Sequence, residues 1–160
     1  KFSNTSRQTM EIAGFLMEKG INFPKIIDDS FFAKTYGQAK LHGRAVLDSV
    51  RILDNRCVYT VVTTDELKEY GCTVKATDGI VDQLRIIEGI EIAFLLYQTG
   101  NPDEYKVSLR TNSKVDVSRI AQSFGGGGHV KAAGCTMTGE PQEIVEKISG
   151  KIREQWEELK

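Results

Sequence analysis

The sequence predicts a mixed α/β fold, a roughly five-stranded sheet with helices packed on it. Three observations carry this reading. Two stretches, residues 46–62 and 90–110, each hold a pair of β-rich runs around a polar turn. Helical patterns lie between and after them. The last stretch, from Pro141, repeats apolar residues at the spacing of one helix face.

Residues 5–19 have helical spacing, with Met10, Ala13, Phe15, Leu16 and Met17 apolar. Asn4, Thr5 or Ser6 can cap the start and Gly20 can end it. Pro24 opens a second short helix over 25–31. Residues 33–41 read as a third helix or a linker, which puts a domain boundary there, with 1–36 on one side and 37–160 on the other. Val46, Val50, Ile52 and Leu53 lead through Asp54-Asn55-Arg56 into a second β run over 57–63. Thr63 and Glu66 have capping-box spacing for a helix through Tyr70, which Gly71 stops.

Residues 78–85 predict a helix with Ile80, Val81 and Leu84 inward, and 90–98 a strongly apolar strand. Gly100-Asn101-Pro102-Asp103 is a turn. The return strand over 104–110 alternates, with Val107 and Leu109 on one face and Lys106, Ser108 and Arg110 on the other. Asp116 can cap a helix over 117–124, ended by Gly125. One helical turn is expected over 131–133, then a short buried strand over 135–138. Ile144, Ile148, Ile152, Trp156 and Leu159 form the stripe of the terminal helix.

The chain has 160 residues and a net charge of -1, so it has no broad basic surface for non-specific nucleic-acid binding. A local anion pocket remains compatible with that balance. No apolar stretch has the length of a membrane helix; the nearest, 86–97, is interrupted by Glu88 and Glu91. Cys57, Cys72 and Cys135 are odd in number and widely spaced, which reads as reduced thiols of a cytoplasmic protein. The chain opens on Lys1-Phe2 without an initiator methionine and is expected to be a piece of a longer protein.

The functional signal is Gly125-Gly126-Gly127-Gly128-His129, followed by Ala132-Ala133-Gly134. Four adjacent glycines carry a large entropic cost on folding. They let backbone N–H groups converge on an anion, and a following helix start would add its own N–H groups. His129 can donate to a phosphate oxygen or contact a base or ribose. The same residues also fit a plain chain turn with a structural histidine. The run lacks the Gly-Lys-Ser/Thr of a P-loop, and it follows a helix, unlike a dinucleotide fingerprint. Arg110, beside Ser108, Thr111 and Asn112, is a candidate phosphate fork or a solvated strand end. Arg85, at a helix C-terminus, reads more readily as structural. His42 and His129 are the only histidines, and no metal-ligand spacing accompanies them.

Gly-Gly-Gly-Gly-His-x-x-Ala-Ala-Gly, with the preceding Val115-Asp116-Val117-Ser118-x-Ile120-Ala121-x-x-Phe124, resembles the DHHA1 domain. That is the C-terminal substrate-binding domain of the DHH phosphoesterases. Val107-Ser108-Leu109-Arg110-Thr111 resembles the family's Ser-x-Arg strand, and residues 78–85 fit as well. The likeness is specific from about residue 43 to 137, and it is strongest to oligoribonucleases that also remove the 3'-phosphate of 3'-phosphoadenosine 5'-phosphate.

The resemblance implies several things. Residues 1–36, through Phe2-x-Asn4-Thr5-Ser6, would be the last helices of a DHH domain and a linker. That domain would carry two manganese ions and the hydrolytic chemistry, so this chain alone should lack catalysis. His129 and the backbone of Gly125, Gly126, Gly127 and Gly128 would meet the substrate near the scissile phosphate. Arg110, Ser108 and Thr111 would grip a phosphate or the neighbouring nucleotide, with Arg85 in the same pocket. The implied partners are short single-stranded oligonucleotides or phosphonucleotides, a DHH domain in cis, and a second copy, since family members often dimerise through the DHH domain. The same domain also occurs with exonucleases on longer DNA and with cyclic-dinucleotide phosphodiesterases. A non-catalytic interaction module is the remaining reading, supported by the stripe of the last helix.

Overall fold

The computed structural model describes residues 5–159, so Phe2 and the candidate cap Asn4 lie outside the described residues. The chain divides at Thr35/Tyr36 into two compact units. The first holds α1 (Arg7–Glu18), α2 (Phe23–Ile27) and a π-helical turn (Asp28–Phe32). Ser6 caps α1 by accepting from the Thr9 N–H, and Asn22 caps α2. No residue of these three elements is buried; Met10, Phe15, Phe31 and Phe32 are all exposed.

The second unit is one sheet with helices. It runs α3 (Tyr36–Leu47), β1 (Val50–Ile52), β2 (Cys57–Val62), α4 (Thr64–Glu69), a 3-10 turn (Val74–Thr77) and α5 (Ile80–Arg85). Then come β3 (Ile92–Gln98), β4 (Glu104–Thr111), α6 (Val117–Gln122), β5 (Gly127–His129), β6 (Ala132–Thr138) and α7 (Pro141–Glu158). The strand order is β1-β2-β3-β4-β6-β5, six strands instead of five. β2 and β3 pair in parallel, and every other pair is antiparallel. Parallel neighbours need a crossover, and α4, the 3-10 turn and α5 fill it.

Two cores result, one on each sheet face. On the first, Ile92, Phe94, Leu96, Val107 and Leu109 pack under α6 and α7. Ile144, Ile148 and Ile152 of α7 are fully buried, so the stripe of the terminal helix is core as far as Trp156, while Leu159 is 49% exposed. Gln155 of α7 bonds both the N–H and the carbonyl of Asp116 at 2.9 Å, which pins the start of α6. On the other face, Val58, Val62, Ala93 and Leu95 meet Leu41 and Ala45 of α3, Leu67 of α4, and Ile80, Val81 and Leu84 of α5.

One expectation is settled and extended, and another is corrected. Of the two readings of residues 33–41 the third helix holds from Tyr36, and it runs further than expected, to Leu47, burying Leu41, His42 and Ala45. Residues 131–133 form no helical turn. His129 pairs with Ala132, so β5 and β6 make a hairpin closed by Val130-Lys131. Strand pairing to β4 captures Ala132 and Ala133 despite their high helix propensity.

Candidate functional site

The glycine run is explained by what each residue must do. Gly125 (φ +74) ends α6, and the Gly126 N–H donates to the Ala121 carbonyl at 2.9 Å. A Cβ on Gly126 would stand 2.2 Å from the Gly134 carbonyl oxygen, and one on Gly128 (φ +145) 2.5 Å from the Ala133 Cα. Gly134 itself lies against the Val107 carbonyl, 2.8 Å from where its Cβ would be. The backbones of β5, β6 and β4 therefore pack closer than side chains permit. Gly127 differs, because a Cβ there would meet nothing within 4 Å.

Register places the polar side chains. Arg110 pairs with Ala132, and Ala132 with His129. Directly opposed residues share a sheet face, so Arg110 and His129 stand in one row, two strand spacings or about 10 Å apart. The next row holds Ser108, Gly134 and Gly127, and the one after it Tyr97, Lys106 and Thr136. Within this unit α5 lies against the Arg110 end of β4 on this face, while the buried side chains of α3, α4 and α5 pack on β2 and β3 and, among the described residues, leave the β6-β5 edge open. His129, Lys106 and Thr136 are exposed, and Ser108, Arg110 and Gly127 half-buried. Small residues form the floor between a guanidinium and an imidazole.

Arg110 is held and not loose. Its Nη1 donates to the Leu109 carbonyl at 3.0 Å, and its Nε lies 3.6 Å from Asp82 Oδ1. Asp82 is also 3.4 Å from Arg85 Nε. Arg85 donates to Asn112 Oδ1 at 2.8 Å, and Asn112 returns a bond to the Arg85 carbonyl at 2.7 Å. One carboxylate thus orients two guanidiniums at the edge of the open face. Burial pushes the Tyr97 phenol pKa up, and the charge of Asp78 pushes the same way, while the Ser108 side chain opposes them.

The structure gathers Ser108, Arg110, Gly127 and His129 on one face, with Arg85 reaching its edge through Asp82. Gly125, Gly126 and Gly128 shape the backbone beneath. Thr111 stands apart. It is 3% exposed, its hydroxyl donates to the Glu91 carbonyl at 3.2 Å, and its register partner Ile92 belongs to the α6–α7 core. Asp82, Lys106 and Thr136 are absent from the sequence-based site. For Lys106 the signal was available, since alternation along β4 already put it beside Ser108. A larger cavity of about 510 Å³ lies elsewhere, beside Arg56, Glu91 and Trp156. Two of its charges are already engaged, because Arg56 pairs with Glu91 at 2.8 Å and stacks on the Trp156 ring.

The DHHA1 domain family matches residues 54–157, which include the whole open face. The chain belongs to the DHHA1 family. It is 28% identical over 156 residues to the bifunctional oligoribonuclease and PAP phosphatase NrnA of Thermus thermophilus, covering 97% of this chain and 46% of that protein. A 40-residue stretch, 24% of this chain and 10% of the relative, is 55% identical to the oligoribonuclease NrnB of Bacillus subtilis. The fold matches an exopolyphosphatase-related protein from Bacteroides fragilis, with TM-score 0.85 and 22% identity, over 94% of this chain and 44% of that one. The chain therefore spans less than half the length of these relatives. No helix among the described residues is long and apolar enough to cross a membrane.

Among the described residues, no group of three or more histidines, cysteines or carboxylates is placed to hold a metal ion.

Proposed function

We propose that this DHHA1 domain is the substrate-recognition half of a cytoplasmic DHH phosphoesterase that hydrolyses short RNA or DNA oligonucleotides and 3'-phosphoadenosine 5'-phosphate. The observation that carries the reading is the Arg110–Ala132–His129 row. It sets two donors about 10 Å apart over a floor of small residues, where a phosphate and its sugar can approach the backbone. Arg110 supplies a planar fork for phosphate oxygens, and Asp82 keeps that fork extended. The near-neutral net charge agrees with a few placed donors instead of a basic face. The names of the relatives support the substrate class.

Hydrolysis is assigned to a DHH domain with manganese ions, outside this chain. The helices of residues 7–32, which bury none of their apolar side chains in their own unit, are assigned to the end of that domain. The interaction-module reading loses its main support, because the α7 stripe is core.

Titration calorimetry with a 5'-phosphorylated diribonucleotide tests the site. Arg110→Ala and His129→Ala are each expected to weaken binding about tenfold or more while the fold is kept. Unchanged affinity in both variants would remove these residues from the site. On the whole protein, turnover of dinucleotides but not of long single-stranded DNA separates this reading from a processive exonuclease.

A further inference from the structure

Along the open face of β4 the side chains run Arg110, Ser108, Lys106, Glu104, that is cation, hydroxyl, cation, carboxylate. Lys106 lies four residues from Arg110, about 14 Å along the strand. A groove of about 370 Å³ opens at this second cation, lined by Tyr97, Lys106, Ser108, Gly134 and Thr136 and bounded by Gly125-Gly126. That is within the range of small-ligand pockets, roughly 300–1,000 Å³.

Three features make the groove more than a continuation of the surface. Arg110 and Arg85 are both engaged by Asp82, whereas Lys106 forms no ion pair among the described residues. The Tyr97 ring is half-buried, packs against the core of the α3–α5 side and lines the groove, so packing holds its aromatic face before any ligand arrives. Beyond Lys106 the next position on this face is Glu104, which accepts from the Thr99 hydroxyl at 3.3 Å. A carboxylate there repels any further phosphate.

We propose that this groove is a second subsite, which takes the second nucleotide of a short single-stranded oligonucleotide. Lys106 holds its phosphate, the Tyr97 ring stacks on its base, and Glu104 closes the track. The proposal rests on the nucleotide reading of the Arg110–His129 row and adds a length rule to it. Two nucleotides fill the face, one leaves the groove empty, and more than two gain nothing. Stacking on an aromatic side chain accepts any base, so the rule concerns length and not sequence.

The test is an NMR titration of the 160-residue chain, following backbone amides, with adenosine 5'-monophosphate, 5'-phosphorylated diadenylate and 5'-phosphorylated tetra-adenylate. The monophosphate is expected to move amides around Arg110 and His129 only, and the diadenylate those around Tyr97, Lys106 and Thr136 as well. The diadenylate should bind about tenfold tighter than the monophosphate, and the tetra-adenylate within about twofold of the diadenylate. Lys106→Gln should abolish the dinucleotide advantage and leave monophosphate affinity within about twofold. A diadenylate that moves only the Arg110–His129 amides, or an advantage that survives Lys106→Gln, overturns the subsite and leaves the nucleotide reading standing. A tenfold gain by the tetra-adenylate overturns the closing role of Glu104. No movement of either set with any ligand overturns the nucleotide reading and the subsite with it.

Discussion

β2 and β3 carry helices on both faces, whereas β6, β5 and β4 beyond its Arg110 end carry them on one. The same sheet is thus a core in one half and a platform in the other. β3 reads Ile-Ala-Phe-Leu-Leu, five buried residues in a row, because each face meets a helix layer. β4 alternates buried and accessible residues along its length, because only one face meets a full helix layer and α5 reaches just the Arg110 end of the other. Where the roof of α3, α4 and α5 stops, large apolar side chains give way to Gly127, Gly134, Ala132 and three charged or imidazole groups. The bare half lacks volume by design of its sequence; what it presents is backbone and donors. Function and packing have been separated laterally within one sheet.

The strongest way to break this comparison is from the roofed half. Phe94 is fully buried and stacks on Tyr59 at 5.3 Å between centroids. Phe94→Ala should cost about 3–5 kcal/mol of unfolding free energy in urea titrations. A loss comparable to a surface substitution would mean the doubly covered half is not the stability centre.

The glycines sharpen it next. Gly126→Ala forces a Cβ into backbone, with the Gly134 oxygen 2.2 Å away, and should destabilise by about 2–4 kcal/mol or displace the β5–β6 hairpin. Gly127→Ala meets open space and should leave the thermal midpoint unchanged or slightly raised, while it weakens dinucleotide binding. Equal effects of the two substitutions on stability would refute the distinction between a fold glycine and a ligand glycine.

The smallest effect concerns Asp116, which caps α6 below the platform. Hydrogen bonds from Ser118, above all from its hydroxyl at 2.5 Å, hold its carboxyl below the usual carboxylate range. A lowered native pKa adds stability above the unfolded value, and that stability is lost as the pH falls through the native one. Asp116→Ala should cost about 1 kcal/mol at neutral pH. The gap between wild type and variant in thermal unfolding should close in acid; a constant gap from pH 7 to pH 2 would show that charge is not what the cap contributes.

Much of the roofed half was legible in the sequence. The apolar run of β3, the capping box of Thr63 and Glu66, and the stripe of α7 are local signals, and each sits where expected. On the open face, alternation alone paired Ser108 with Arg110. The hairpin of β5 and β6 was not legible, because glycines carry no periodicity and Ala132-Ala133 favour helix in isolation. Asp82 was not legible as a partner of Arg110 for a different reason: they are brought together only when the crossover lays α5 against β4, and no local pattern encodes that. Thr111 shares a motif with Arg110 but faces the other way, as neighbours on a strand must.

The parallel pairing of β2 with β3 also has a consequence in time. Its strands are separated by the 29 residues between Val62 and Ile92, whereas β3 and β4 are joined by the five residues between Gln98 and Glu104. Closing the short loop costs less entropy, so the antiparallel hairpin is expected to form early and the crossover to dock late. The helices that arrive with the crossover are the roof itself. The molecule would then acquire its binding platform before its second core, and pulsed hydrogen exchange during refolding would show amides of β3 and β4 protected ahead of those of β2. If β2 is protected first, the order of assembly is the reverse, and the roof is the template on which the platform is laid.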